Sequence, residues 1–146
     1  MLVSPEDLHI TLRADPRLLK AVRGLVQGYV RSCGISAERC DEVVLAVCEA
    51  CTNAMRHSYN GRRDERLDLA FRCEGGEVVI ELHDEGEPIP RACTRPRETA
   101  VKDLASLEPG GLGVSLMWRV FDEVEYCPGE RRGNCVTMRL KCPEGE

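Results

Sequence analysis

Between Asp41 and Tyr59 the chain reads DEVVLAVCEACTNAMRHSY. Val43, Val44, Val47, Cys51 and Ala54 recur there at steps of three and four, the pattern of an amphipathic helix with one apolar face. On a second stripe stand Glu49, Asn53 and His57, each four residues from the last. A step of four turns an α-helix by only about 40°, so Glu49 and Asn53 point the same way about one turn apart. A solvated helix face has this spacing too. Asn, however, prefers caps and turns to mid-helix positions. A carboxylate beside a neutral carboxamide supplies one proton acceptor and one neutral oxygen ligand for a hard cation.

The rest of the chain provides a second layer for this helix. Leu8, Ile10 and Leu12 alternate with polar residues, which predicts a strand over His9–Arg13. Asp15-Pro16 starts a helix with an apolar stripe of Leu18, Leu19, Val22, Leu25, Val26, Tyr29 and Val30; Cys33-Gly34 ends it. Ser36 caps the organising helix. Leu67, Leu69 and Phe71, then Val78, Ile80 and Leu82, flank Gly75-Gly76 as a hairpin. From Pro88 to Pro109 periodicity dissolves into a loop of about twenty residues, with a short helix expected at 101–107; loops of that length are often lids. Gly110-Gly111-Leu112-Gly113 opens a further helix over Val114–Phe121. Val124 and Tyr126 start a strand, Pro128-Gly129 turns, and Val136, Met138 and Leu140 alternate as the last one. This order predicts one α/β (α+β) domain over 1–146, a two-layer sandwich of helices on a mixed, mostly antiparallel sheet.

The 146 residues carry a net charge of −5 with no basic run, which argues against nucleic acid as a partner. The N-terminus lacks the pattern of a secretory signal, and no apolar segment reaches membrane-spanning length. A cytoplasmic location is the expectation. Nine cysteines are an odd number for a disulfide framework. Cys48-x-x-Cys51 lies inside a helix without a second such pair, so small, buried, hydrophobe-like cysteines are expected.

Two glycine-containing motifs add to the Glu–Asn pair. Asp84 ends a strand two residues before Gly86; glycine there admits a flat ligand to the backbone, and a carboxylate accepts from an exocyclic amine. A turn after a strand has the same residues. Gly111-x-Gly113 at a helix start offers N–H groups and a helix dipole to an anion, and it also suits a hinge. No G-x-x-x-x-G-K-[ST] is present, which excludes a P-loop.

Taken in this order, Glu49-x-x-x-Asn53, Asp84-x-Gly86 and Gly111-x-Gly113 resemble the N box and the two glycine boxes of the GHKL, or Bergerat-fold, ATPases. The runs Asn53-Ala54-Met55-Arg56-His57-Ser58-Tyr59 and GGLGVSLMWRVFDEVEY are similar to the branch of anti-sigma factors and serine-protein kinases that includes RsbW and SpoIIAB. The resemblance extends from the first strand to Leu140. It implies ATP/ADP as ligand with Mg²⁺ at Asn53, Glu49 as general base, and Asp84 at the adenine amine with Gly86 giving the ring room. Gly111, Leu112 and Gly113 would cradle phosphates beneath a lid of about 88–110. His57 would touch the nucleotide edge or simply finish the helix. Pro88 departs from the wider family, which often has a second glycine there; proline removes a donor and stiffens the turn.

The function so implied is an ATP-dependent protein serine/threonine kinase that doubles as an anti-sigma factor. It would hold a sigma factor in one state and phosphorylate a STAS-type antagonist on serine in the other, as a homodimer. Two alternatives stand beside it: a nucleotide-binding interaction module without transfer, and a switch kinase acting on a non-sigma partner.

Overall fold

The computed structural model describes residues 7–90, 111–129 and 132–142. Strand β1 (Leu8–Arg13) has the expected alternation, with Leu8, Ile10 and Leu12 turned inward. Asp15 then caps a 3₁₀ turn (Pro16–Leu18), its carboxylate accepting from the Arg17 N–H at 3.0 Å. The Arg17 guanidinium holds that carboxyl down at about 2. Helix α1 (Leu19–Ser32) follows, later than the expected start at Pro16, and buries Val22, Val26 and Val30. Gly34, at φ +88°, reverses the chain, a conformation that glycine adopts without strain. Ser36 Oγ accepts from the Arg39 N–H and starts α2 (Ala37–Asn53).

Helix α2 packs against both α1 and α3 (Gly111–Val120) as well as the sheet. Its buried arc is accordingly wider than one stripe. Val43, Val44, Val47 and Cys51 are buried as the periodicity predicts, and Cys40, Ala46 and Ala50 join them. After Asn53 the helix widens into one π-helical turn, Ala54–Ser58, with the Tyr59 N–H reaching the Ala54 carbonyl at 3.1 Å. The even four-residue spacing expected through His57 therefore breaks at Asn53.

Strands β2 (Arg66–Glu74) and β3 (Glu77–Asp84) form the hairpin. Its turn, Gly75-Gly76, takes φ +59° and +77°, the paired positive values of a tight hairpin turn. Strands β4 (Glu123–Pro128) and β5 (Asn134–Lys141) complete a sheet of order β1-β2-β3-β5-β4. Every described pair is antiparallel, which refines the mixed sheet expected above. The reason lies in how the strands are connected. Two helices between β1 and β2 bring the chain back pointing against β1. Strands β3 and β4, with α3 the one described helix between them, run parallel, but β5 inserts between them.

The helices cover one face of this sheet. Leu69, Phe71, Ile80, Met138 and Leu140 point into that layer and are fully buried. The other face has no helix among the described residues, yet Val79 on it is only 2% exposed. In register it lies between Arg72 and Arg139, whose aliphatic stems can cover it while their charges stay in water.

The cysteines differ from expectation. Of the eight described, Cys40 and Cys51 are buried; Cys33, Cys48, Cys135 and Cys142 are half-buried, and Cys73 and Cys127 are exposed. Burial pushes the Cys48 and Cys51 thiols above their ordinary values, the reverse of what an activated C-x-x-C needs.

Candidate functional site

On β3 the inward phase runs Val78, Ile80, Leu82 and then Asp84, and on β5 it runs Asn134, Val136, Met138 and Leu140. Asp84 and Asn134 are register partners, so two polar side chains enter the helix-covered layer side by side. Both are buried. A buried carboxylate is tolerated only with donors around it, and the surrounding chain supplies them. Asp84 Oδ1 accepts from Ser58 Oγ, from the Gly86 N–H at 3.0 Å and from Asn134 Nδ2 at 3.0 Å. Asn134 Nδ2 also reaches the Glu87 carbonyl at 2.8 Å, and its Oδ1 accepts from the Ile89 N–H at 2.9 Å.

The π turn is tied into the same network. Ser58 is fully buried, and its carbonyl accepts from the Glu87 N–H at 2.9 Å. Tyr59 donates to the Arg66 carbonyl at 2.6 Å and accepts from the Glu85 N–H at 2.7 Å. Burial pushes its phenol above the ordinary value, so it serves both bonds as a neutral hydroxyl. A Cβ on Gly86 would overlap Ser58 Oγ and the Ser58 carbonyl group. The structure thus gives Gly86 a packing reason of its own: the backbone after β3 lies directly on the π turn.

Asp84 and Asn134 form the floor of a small cleft lined by Ala50, Ala54, Leu82, Asp84, Ile89, Tyr126, Asn134 and Val136. Ala50 and Ala54, four apart in the chain, put the smallest side chains on the helix side of it. The walls are apolar and the floor carries a carboxylate and a carboxamide. Asp84 Oδ1 takes all three protein donors; Oδ2 receives none among the described residues and is the acceptor available to a ligand. An apolar cleft with one strong acceptor suits a flat heterocycle bearing an amine.

The remaining expected residues divide. Asn53 is 3% exposed and donates from Nδ2 to the Tyr126 hydroxyl at 3.3 Å, and Tyr126 lines the cleft. Glu49 is half-buried one turn earlier on α2. His57, in the π turn, is half-buried and does not line the cleft. Gly111, Leu112 and Gly113 form the first turn of α3, whose leading N–H groups have no partner within a helix by its geometry. Of the expected lid, Pro88, Ile89 and Pro90 are described, and Ile89 is buried. Residues 91–110, with the helix expected at 101–107, lie outside the described residues.

Sequence reasoning missed Ser58, Asn134, Tyr59 and Tyr126. For Asn134 a signal existed: it stands on the inward phase of an otherwise apolar strand, as Asp84 does.

Residues 12–140 match the histidine kinase-like ATPase domain. The serine-protein kinase RsbW of Bacillus pumilus is 31% identical over 124 residues, covering 81% of this chain and 76% of that one. RsbW of Bacillus velezensis is 26% identical over 95% of this chain and 97% of its own length. The anti-sigma F factor of Geobacillus stearothermophilus is 27% identical, with 91% and 90% covered. Among solved structures, a Mycobacterium tuberculosis protein containing RsbU and RsbW domains aligns with a TM-score of 0.65 at 19% identity, over 94% of this chain and 32% of that longer one. The SiaB–SiaC complex from Pseudomonas aeruginosa gives 0.64 at 14% identity, over 92% and 89%. At those identities the structural likeness speaks for the fold. Together with the sequence matches along most of its length, it places the chain in the histidine kinase-like ATPase family, on the branch of the RsbW serine-protein kinases and anti-sigma F factors.

Proposed function

We propose that this chain is an ATP-dependent protein serine kinase of a partner-switching system. The observation that carries the reading is the floor of the cleft, where Asp84 is fixed through one oxygen by three protein donors and offers the other. That acceptor is the group an adenine amine needs, and apolar walls are the surroundings a flat ring takes.

The residues around it divide the remaining work. Asn53 lies beside the cleft with its amide nitrogen on Tyr126, and a carboxamide oxygen is a ligand that a hard cation takes. Mg²⁺ held there would neutralise charge on the phosphates of the substrate ATP. The first N–H groups of α3, from Gly111 to Gly113, suit phosphate oxygens. Glu49 is the carboxylate to receive a proton from an incoming serine hydroxyl as its oxygen takes the γ-phosphoryl group and ADP leaves. Phosphoryl transfer depends mainly on positioning and charge stabilisation, and the packed α2–π turn–β3 network supports positioning.

We assign a STAS-type antagonist as phospho-acceptor, a sigma factor as the protein held in the other state, and a homodimer as the working form. Transcription control in the cytoplasm follows from that assignment. No helix among the described residues is long and apolar enough to cross a membrane.

The test is phosphotransfer from labelled ATP to STAS-domain proteins of the source organism, with wild type and Glu49→Ala side by side. Serine labelling by the wild type, absent in a Glu49→Ala variant that still binds ATP, is the expected result. ATP binding without labelling of any such protein would leave a nucleotide-binding module that transfers nothing.

A further inference from the structure

On the face of the sheet without a helix, the register brings three metal-ligating side chains together. His83 and Cys135 are direct partners across β3 and β5, and Glu81 lies two residues before His83, on the same face. Glu81 Oε1 is 3.0 Å from His83 Nε2, which is 3.6 Å from Cys135 Sγ. One ligand atom from each residue lies within 4.8 Å of the other two. No other such trio occurs among the described residues.

Carboxylate oxygen, imidazole nitrogen and thiolate sulfur are the three donor types that zinc takes, at about 2.0–2.3 Å. In a tetrahedron of those bonds, neighbouring ligand atoms are about 3.3–3.6 Å apart. Two edges of the cluster are already close to that. The second oxygen of Glu81 is held by the Arg72 guanidinium at 2.7 Å, an outer partner that orients the carboxylate as such partners do around metals. Cys127, exposed on β4, is the register partner of Cys135 on its other side; its thiol lies against Glu125 Oε1 at 3.6 Å, outside the cluster, and would reach the ion by a change of rotamer.

We propose that Glu81, His83 and Cys135 form a zinc-type transition-metal site, with Cys127 as the fourth ligand. Binding releases the thiol protons and the imidazolium proton of His83 and ties β3, β5 and β4 together from behind the cleft. His83 and Cys135 are the neighbours of Asp84 and Asn134 in the chain, so the ion would clamp the two strands that carry the cleft floor. None of this depends on nucleotide or Mg²⁺.

The experiment is titration of the metal-free, reduced protein with Co²⁺ alone, followed by absorption. One equivalent should give the intense visible bands of a tetrahedral site and a thiolate-to-metal charge-transfer band, both removed by added Zn²⁺. Cys135→Ser and His83→Gln should abolish these bands, and Cys127→Ser should reduce the charge-transfer intensity by about half. Cys73→Ser is the control, because Cys73 and Cys142 bring a second pair of thiols to 3.9 Å elsewhere in the fold. Circular dichroism checks that each variant is folded. Absent bands in the wild type, or bands that survive Cys135→Ser and disappear in Cys73→Ser, overturn the proposal.

Discussion

Two neighbouring pairs on the same two strands meet opposite surroundings. Asp84 and Asn134 point under the helices, where every polar atom is answered by a named donor or acceptor or faces the cleft. His83 and Cys135, one residue away, point to the uncovered face among Arg72, Glu81 and Thr137. The alternation of a strand is the whole cause of the difference. It lets a narrow piece of sheet carry a tightly specified site on one side and an adaptable surface on the other. The energetic consequence is an asymmetry: changes on the covered side propagate through packing, whereas changes on the open side are absorbed by water.

Met138 and Thr137 test that asymmetry most severely. Met138→Ala should cost about 2–5 kcal/mol in denaturant unfolding, because a fully buried side chain leaves a cavity. Thr137→Ala, next to it but facing out, should change stability by about 0.5 kcal/mol or less. Equal losses at the two positions would break the contrast.

Gly86→Ala comes next, at about 1–3 kcal/mol, the usual cost of forcing atoms into a packed space. Combining it with Ser58→Ala should not restore stability, since the methyl group also overlaps the Ser58 backbone. Full rescue in thermal melts would show that only the hydroxyl was in the way. The smallest stability effect belongs to the open face. Arg72 and Glu81 pair at 2.7 Å with both side chains partly solvated, so Arg72→Ala should cost about 1 kcal/mol or less and shrink further in high salt. A larger, salt-insensitive loss would mean that the Arg72 stem over Val79 matters more than its charge.

The elements were largely legible because alternation and helical period are strong in β2, β3, β5 and α2. The wholly antiparallel sheet was less so, since the insertion of β5 between β3 and β4 is set by tertiary packing and leaves no mark in local pattern. The π turn was hidden for a similar reason. An i→i+5 widening has no compositional signature, and Ala54 continues the apolar spacing of Val47 and Cys51. Asp84 and Gly86 were legible as a pair, but the partner of Gly86 is Ser58, which only the folded chain brings near. Asn134 follows a glycine and reads as turn until its strand phase is counted. The cysteines were misjudged by residue-type preference, while alternation places Cys127 and Cys135 on the outward phase.

The most direct measurement of the central claim is calorimetric titration of Asp84→Asn with Mg²⁺-ATP, beside the wild type. The substitution keeps an oxygen for Ser58, Gly86 and Asn134, and replaces the cleft-facing acceptor with a donor. The account predicts a folded protein with near wild-type melting whose affinity falls about tenfold to a hundredfold, the worth of a hydrogen bond to a charged group. A folded Asp84→Asn that binds ATP as tightly as the wild type would contradict it, because the free oxygen of Asp84 would then have no part in recognising the base.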